Sequence, residues 1–275
     1  MGASRSGWPR RVVRQARRAG MEIAGRTGAY RSVLSVQTET PVSVMTFDDG
    51  PDPVGTPDVL RALRSFDATA TFFLLGTRWR RYPDLVQHVL EEGHEVALHG
   101  ADHTYLPPLS AEDVARRTAD ARDELASLIG RPVRWVRPPY LAQGWSSWRG
   151  LVAAGLTPVY SDPVGPSLMD WAPISMDERL AFARRGLRAG AVVLGHDGYA
   201  GPEDGADDGP GPEVDRYELV ARTLEMYSEQ GLRGVSLEDA LVDGSPVLGG
   251  WASRDPGREP RLLLRHTVKA RLSWE

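Results

Sequence analysis

The chain has 275 residues, 41% hydrophobic and 25% charged, with 33 basic residues against 37 acidic ones. That balance excludes disordered, collagen-like and fibrous chains, and a net charge of −4 lacks the basic excess of a nucleic-acid binder, so no nucleic-acid partner is expected. The lack of cysteine removes disulfides, thiolate metal sites and a Cys nucleophile together.

Residues 1–40 read as a basic helix or leader. Positions 1–31 hold eight Arg and a single acid, Glu22, while Val12, Ala16, Ala19 and Ile23 recur at helical spacing. Such a stripe either lies on an anionic membrane surface as a peripheral contact or is a solvated leader. No apolar run reaches the roughly 18–20 residues of a membrane span, and the start lacks the apolar stretch of a secretory signal. The expectation is a cytoplasmic protein, or a peripheral one at the inner membrane surface.

From residue 42 short β-rich runs alternate with helical patterns. The runs are Val42–Phe47, Thr69–Leu75, His94–His99, Val133–Val136, Thr157–Ser161, Ala191–His196 and Arg233–Ser236. Between them Val59, Leu60, Leu63 and Phe66 form an apolar helical face, and Ser110-Ala-Glu-Asp113 opens a helix that Gly130 should close. Gly93, Gly155 and Gly231 each stop a helix before the next run. Seven βα-like units predict a parallel sheet with helices outside it, doubly wound or closed into a distorted (β/α) barrel of about seven parallel strands. The main domain is expected over 41–245, with 246–275 as a tail. The Gly/Pro/acid segment 200–215 reads as a flexible surface insertion or as a mobile acidic rim for a cationic substrate or amine product.

A barrel puts its chemistry at the C-terminal ends of its strands. Asp48-Asp49, His99, Arg137 and His196 all stand at such ends. Asp-Gly-Pro is turn chemistry, yet neighbouring carboxylates can divide labour, one holding a metal and the other a proton. His99 and His103 converge if their segment is one turn or a tight loop, and with one Asp they make a His₂-carboxylate set with open positions for water and substrate. His88, within a helix pattern, and His94, at the far end of its strand, fit less well. Trp145 and Trp148, just after Arg137-Pro-Pro-Tyr140, either stack on a bound ligand or form the apolar face of the next helix.

These residues resemble the motifs of the polysaccharide deacetylases, the NodB-homology carbohydrate esterases, over about residues 42–242. The likeness rests on Thr46-Phe-Asp-Asp-Gly-Pro51, Ala70-Thr-Phe-Phe-Leu-Leu-Gly76, His99-Gly-Ala-Asp-His103, Arg137-Pro-Pro-Tyr140, Asp170-Trp171 and Leu194-Gly-His196, in that order. Gly100 stands where that family usually has a hydroxyl residue, and Leu141 where it usually has Gly.

The resemblance implies that Asp49, His99 and His103 bind a divalent metal, Zn²⁺ first, with Co²⁺, Ni²⁺ or Mn²⁺ as alternatives. It implies Asp48 as general base, Arg137 as the residue that orients it, and the Tyr140 N–H as an oxyanion donor. His196 would be the general acid, tuned by Asp170, with Asp162 as a competitor for that role. Trp171 and Leu194 would line the acetyl pocket. Amide hydrolysis needs an activated water, a fixed partner for the oxyanion and a proton for the amine, and this set supplies all three. The expected activity is removal of an N-acetyl group from an acetamido sugar, in a glycan, a lipid-linked intermediate or a small glycoside. The alternatives are a hydrolase of a non-sugar amide, imide or O-acetyl ester, or an inactive glycan-binding module.

Overall fold

The computed structural model describes residues 31–161, 165–206 and 211–249. The stripe Val12–Ile23, Asp162 and all but the first residues of the 246–275 segment lie outside the described residues.

The first strand is β1 (Ser32–Gln37), followed by β2 (Val42–Gly50), helix α1 (Gly55–Ser65) and β3 (Thr71–Leu75). Helices α2 (Gly76–Trp79) and α3 (Pro83–Glu91) lead to β4 (Glu95–Gly100), and α4 (Ala111–Ile129) leads to β5 (Trp135–Val136). Next come α5 (Trp145–Ala153), β6 (Thr157–Pro158), α6 (Met176–Arg184) and β7 (Val192–His196). The last elements are α7 (Arg216–Glu229), β8 (Arg233–Val235), α8 (Leu237–Val242) and β9 (Ser245–Gly249). Strands β6-β5-β4-β3-β2-β7 lie side by side, all parallel, and β8 adds to the first residues of β2. This is the seven-stranded parallel sheet that the βα alternation predicts.

Local chemistry accounts for the helix ends. Ser110 accepts a hydrogen bond from the Asp113 N–H at 3.0 Å, and Gly130 takes the left-handed φ of +69° that ends α4.

Strand alternation sorts the side chains into two cores. Met45, Phe47, Phe72, Leu74, Val96 and Leu98 face outward and pack with Val59, Leu63, Val114 and Leu125 of the helices. Val42, Val44, Phe73, Ala97, Val159 and Val192 face inward and fill the barrel. The inward parity continues up β2 to Thr46 and Asp48, up β4 to His99, and up β7 to Leu194 and His196.

Strand β1 closes the barrel, which corrects the boundaries drawn from sequence. Its carbonyl at Val33 accepts from the Tyr160 N–H at 2.8 Å beyond β6, and its Val36 N–H donates to Gly190 just before β7 at 2.8 Å. A side chain at Gly190 would sit 1.8 Å from the Val36 carbonyl, so this seam requires glycine. On its outer edge β1 pairs antiparallel with β9. Residues 32–37 therefore belong to the barrel and not to a leader, and the fold continues past 245 through β9. The reason is burial: Val33 and Val36 are part of the inner core. Among the described residues no helix is long and apolar enough to cross a membrane.

His94, at the start of β4, is buried with its ring 5.5 Å from Phe72 and no partner for either nitrogen among the described residues. Burial pushes its pKa down to about 4 from the ordinary 6.5. The unfolded chain therefore binds this proton first, so stability holds above about pH 6.5 and falls as pH drops towards 4. Urea unfolding at pH 7 and pH 5 should show a loss of about 2 kcal/mol from this residue. His94→Leu should remove that part of the slope, and an unchanged slope would exclude His94 as its source.

Candidate active site

Two adjacent residues of a strand normally point to opposite faces. Asp48 points inward by parity; Asp49 should point out. The backbone of Asp49 instead takes a left-handed φ of +71°, and the pairing of β2 with β3 shifts register between Asp48 and Gly50. That kink brings both carboxylates to the same mouth of the barrel. Asp is among the few non-glycine types that tolerate this conformation.

Asp49, His99 and His103 form a buried cluster whose ligand atoms lie within 4.8 Å of one another. Asp49 Oδ1 is 3.2 Å from His99 Nε2 and 3.4 Å from His103 Nε2, yet it accepts no hydrogen bond. His99 Nδ1 is 2.8 Å from the Arg137 carbonyl, which can only accept, so Nδ1 carries the proton. That leaves Nε2 as the ring atom His99 turns toward the Asp49 carboxylate. Two ring nitrogens and a carboxylate oxygen converging in a buried site fit a cation between them, with the Arg137 carbonyl orienting one ligand ring. Burial opposes ionisation of Asp49, but His103 and His99 outweigh it and hold the carboxyl well below its usual range.

Asp48 is ion-paired with Arg137, whose Nη1 lies 2.7 Å from Asp48 Oδ1 and 2.9 Å from Thr46 Oγ1. Arg137 is fully buried, and its guanidinium stacks 4.2 Å from the Phe73 ring centroid. One residue thus orients Asp48 through its side chain and His99 through its carbonyl.

Across β7, His196 is the register partner of Asp48. Its Nδ1 is 2.7 Å from Asp170 Oδ1, and its backbone N–H donates to Asp170 Oδ2 at 2.6 Å. Burial alone would lower the pKa of His196, but Asp170, aided by Asp49 and Asp48, outweighs it and pushes it up to about 9. The Trp171 ring stands edge-on to His196 at 5.3 Å and is partly exposed, while Leu194 is buried two residues before His196. Pairing of residues 166–168 along β7, through Leu168 N–H to Leu194 O at 2.8 Å, delivers Asp170 beside His196. Asp162, the sequence competitor for this place, lies outside the described residues.

Tyr140 and Leu141 both take left-handed φ, +60° and +48°, so the Arg137-Pro-Pro-Tyr loop turns sharply over the site. Leu141 occupies a conformation that glycine reaches without penalty. The Tyr140 ring packs 4.3 Å from His103. Trp145 and Trp148 stack on each other at 5.4 Å, and Trp145 is exposed at the start of α5.

Among the described residues, those given roles from the motifs thus stand around one barrel mouth. Sequence reasoning missed the groups behind them. Tyr199 donates its hydroxyl to the Asp170 carbonyl at 2.5 Å. Arg179 caps the carbonyls of Met169 and, at 2.6 Å, Ala172, bracketing Asp170-Trp171. Arg216 donates to the His196 carbonyl at 3.1 Å. Lone Arg and Tyr residues in an Arg-rich chain carry no local signal of such roles. The 200–215 segment is also more than a loose insertion, because Asp204 is fully buried in a short helical turn, Pro202–Asp204.

Residues 35–159 match the polysaccharide deacetylase family. A peptidoglycan-N-acetylglucosamine deacetylase of Bacillus cereus is 31% identical over 204 residues, 73% of this chain and 88% of that protein. A chitooligosaccharide deacetylase of a Bradyrhizobium species is 35% identical over 161 residues, 58% of this chain and 72% of that protein. The crystal structure of the Bc1960 peptidoglycan N-acetylglucosamine deacetylase shares the fold, with a TM-score of 0.67 at 23% identity over 78% of this chain and 94% of that one. Identity above 30% across most of a relative's length, together with a family match that takes in the Asp49, His99 and His103 cluster, shows that the chain belongs to the polysaccharide deacetylase family.

Proposed function

We infer that the protein hydrolyses the acetamido group of an N-acetylated sugar in a glycan, releasing acetate and leaving a free amine. The carrying observation is the meeting at one barrel mouth of three groups: the Asp49–His99–His103 cluster, a carboxylate held by buried Arg137, and an imidazole held by Asp170. Relatives named for peptidoglycan N-acetylglucosamine and for chitooligosaccharides direct the choice to glycans containing N-acetylglucosamine.

Two imidazoles and a carboxylate suit a divalent cation, Zn²⁺ first and Co²⁺, Ni²⁺ or Mn²⁺ next, and leave positions open for water and substrate. Such an ion, when bound, supplies Lewis acidity that polarises the acetyl carbonyl and brings the pKa of water to about 7. Asp48 takes the proton of the attacking water as the new C–O bond forms, and Arg137 keeps its carboxylate aimed. The Tyr140 N–H supports the developing oxyanion. His196, kept protonated by Asp170, gives its proton to the nitrogen as the C–N bond breaks. Trp171 and Leu194 wall the pocket for the acetyl methyl.

The test is acetate release from chitooligosaccharides and peptidoglycan glycan strands, with a panel of O-acetyl esters alongside. Release from the N-acetyl substrates should stop on chelation and return with added Zn²⁺ or Co²⁺. Release from esters and none from N-acetyl sugars would overturn the sugar amide reading.

A further inference from the structure

His103 is the one member of the ligand cluster that sits on a loop; Asp49 and His99 lie at the ends of β2 and β4. A loop ligand needs something else to fix it, since outer partners decide how well a metal ligand is aimed. Its backbone N–H donates to the Asp204 carbonyl at 2.7 Å. The Asp204 carboxylate is buried and surrounded by donors: Thr77 Oγ1 at 2.6 Å, Arg78 Nε at 2.9 Å, the Gly201 N–H at 3.1 Å, and Arg81. The same α2 segment also reaches the loop directly, through the Thr77 N–H to the Ala101 carbonyl at 3.1 Å.

Arg78, itself buried, extends this arrangement to the other two parts of the site. Its Nη1 is 3.0 Å from Asp52 Oδ2, three residues after Asp49, and Asp52 Oδ1 caps the start of α1 through the Gly55 N–H at 2.8 Å. Its Nη2 donates to the Tyr199 carbonyl, and Tyr199 in turn holds the Asp170 carbonyl. One planar guanidinium therefore spans three segments, which a lysine, with its single point of charge, cannot reproduce. Burying a carboxylate and a guanidinium is expensive unless both are fully partnered. Here they are, and the partners Asp52, Tyr199 and Thr77 each lead on to a segment of the site.

We propose that the buried Arg78–Asp204 pair is a positioning clasp that sets His103 in the metal centre and holds the acid-bearing loop in register with it. This rests on the metal reading of the Asp49–His99–His103 cluster and deepens it. The first part of the 200–215 segment is then neither an inert insertion nor a rim for substrate; it is the piece that carries the clasp.

The test is Zn²⁺ affinity of the full-length chain by competition with a chromophoric chelator, with the visible spectrum of the Co²⁺ form as a second readout. Asp204→Asn keeps the volume but turns an amide NH₂ toward donors, and should weaken Zn²⁺ binding about tenfold or more and change the Co²⁺ spectrum. Arg78→Lys should do the same. Thr77→Ala, which removes one donor from Asp204, gives a milder loss in the same direction and covers the case in which the stronger variants fail to fold. Arg80→Ala breaks the exposed pair with Glu124 next to α2 and should leave both readouts unchanged. Folded Asp204→Asn and Thr77→Ala proteins with wild-type affinity and spectrum would overturn the clasp, as would an equal loss in Arg80→Ala. A wild-type protein that takes up neither Zn²⁺ nor Co²⁺ would instead overturn the metal reading beneath it.

Discussion

Asp48→Asn is expected to remain folded and to bind its metal, while kcat for acetate release falls about 10²–10⁴-fold. The substitution preserves size and leaves an oxygen to accept from Arg137 Nη1, now 2.7 Å from the carboxylate. What it removes is the basicity needed to take a proton from water. It also leaves a buried guanidinium without its counter-charge, so some stability is lost as well. Metal binding and thermal unfolding measured beside the rate separate the two effects. A metal-replete Asp48→Asn enzyme within tenfold of wild type would remove Asp48 from the role of base.

His196→Ala should be as damaging, about 10²–10⁴-fold in kcat with the metal retained, because the amine then leaves without a proton donor. The companion variant Asp170→Asn tests the electrostatics. Burial works against the imidazolium, and Asp170 is the largest influence opposing it, with a pKa of about 9 as the outcome. Without that anion burial dominates, and the pKa drops. The acid form is then lost at lower pH, so the alkaline limb of the kcat profile should move down by a pH unit or more. A cation beside Asp49 repels the imidazolium in both proteins, so the direction of the shift is the informative quantity. An alkaline limb that stays in place in Asp170→Asn would show that His196 does not set it.

The gathering of Asp48, His99 and His196 at strand ends was legible in the sequence because it follows from short-range order. Alternation along β2, β4 and β7 puts Asp48, His99 and His196 on the inner face, and the βα period puts them at one mouth. The caps at Ser110 and Gly130 are similarly local. Strand β1 was not legible, since its partners lie beyond β6, before β7 and in β9, and no helix follows it to complete a βα unit. The inward turn of Asp49 depends on a left-handed backbone that alternation does not foresee. Asp204 belonged to a stretch whose glycines, prolines and acids suggest solvent, and only the arrival of Thr77, Arg78 and Arg81 makes its burial tolerable. Asp170 was identified by the Trp that follows it; its place beside His196 comes from the run of 166–168 along β7.

The left-handed backbone at Asp49 also bears on how such a protein changes under selection. A glycine there would relax the backbone, but it would also remove a buried carboxylate that His103 and His99 hold ionised. Backbone and side chain therefore pull this position in opposite directions. A library screened for heat resistance alone would weigh a relaxed turn against two lost contacts with His99 and His103, and one screened for turnover should keep the aspartate. A single substitution at this turn should thus be a short mutational route from a working deacetylase to a folded barrel that no longer turns over.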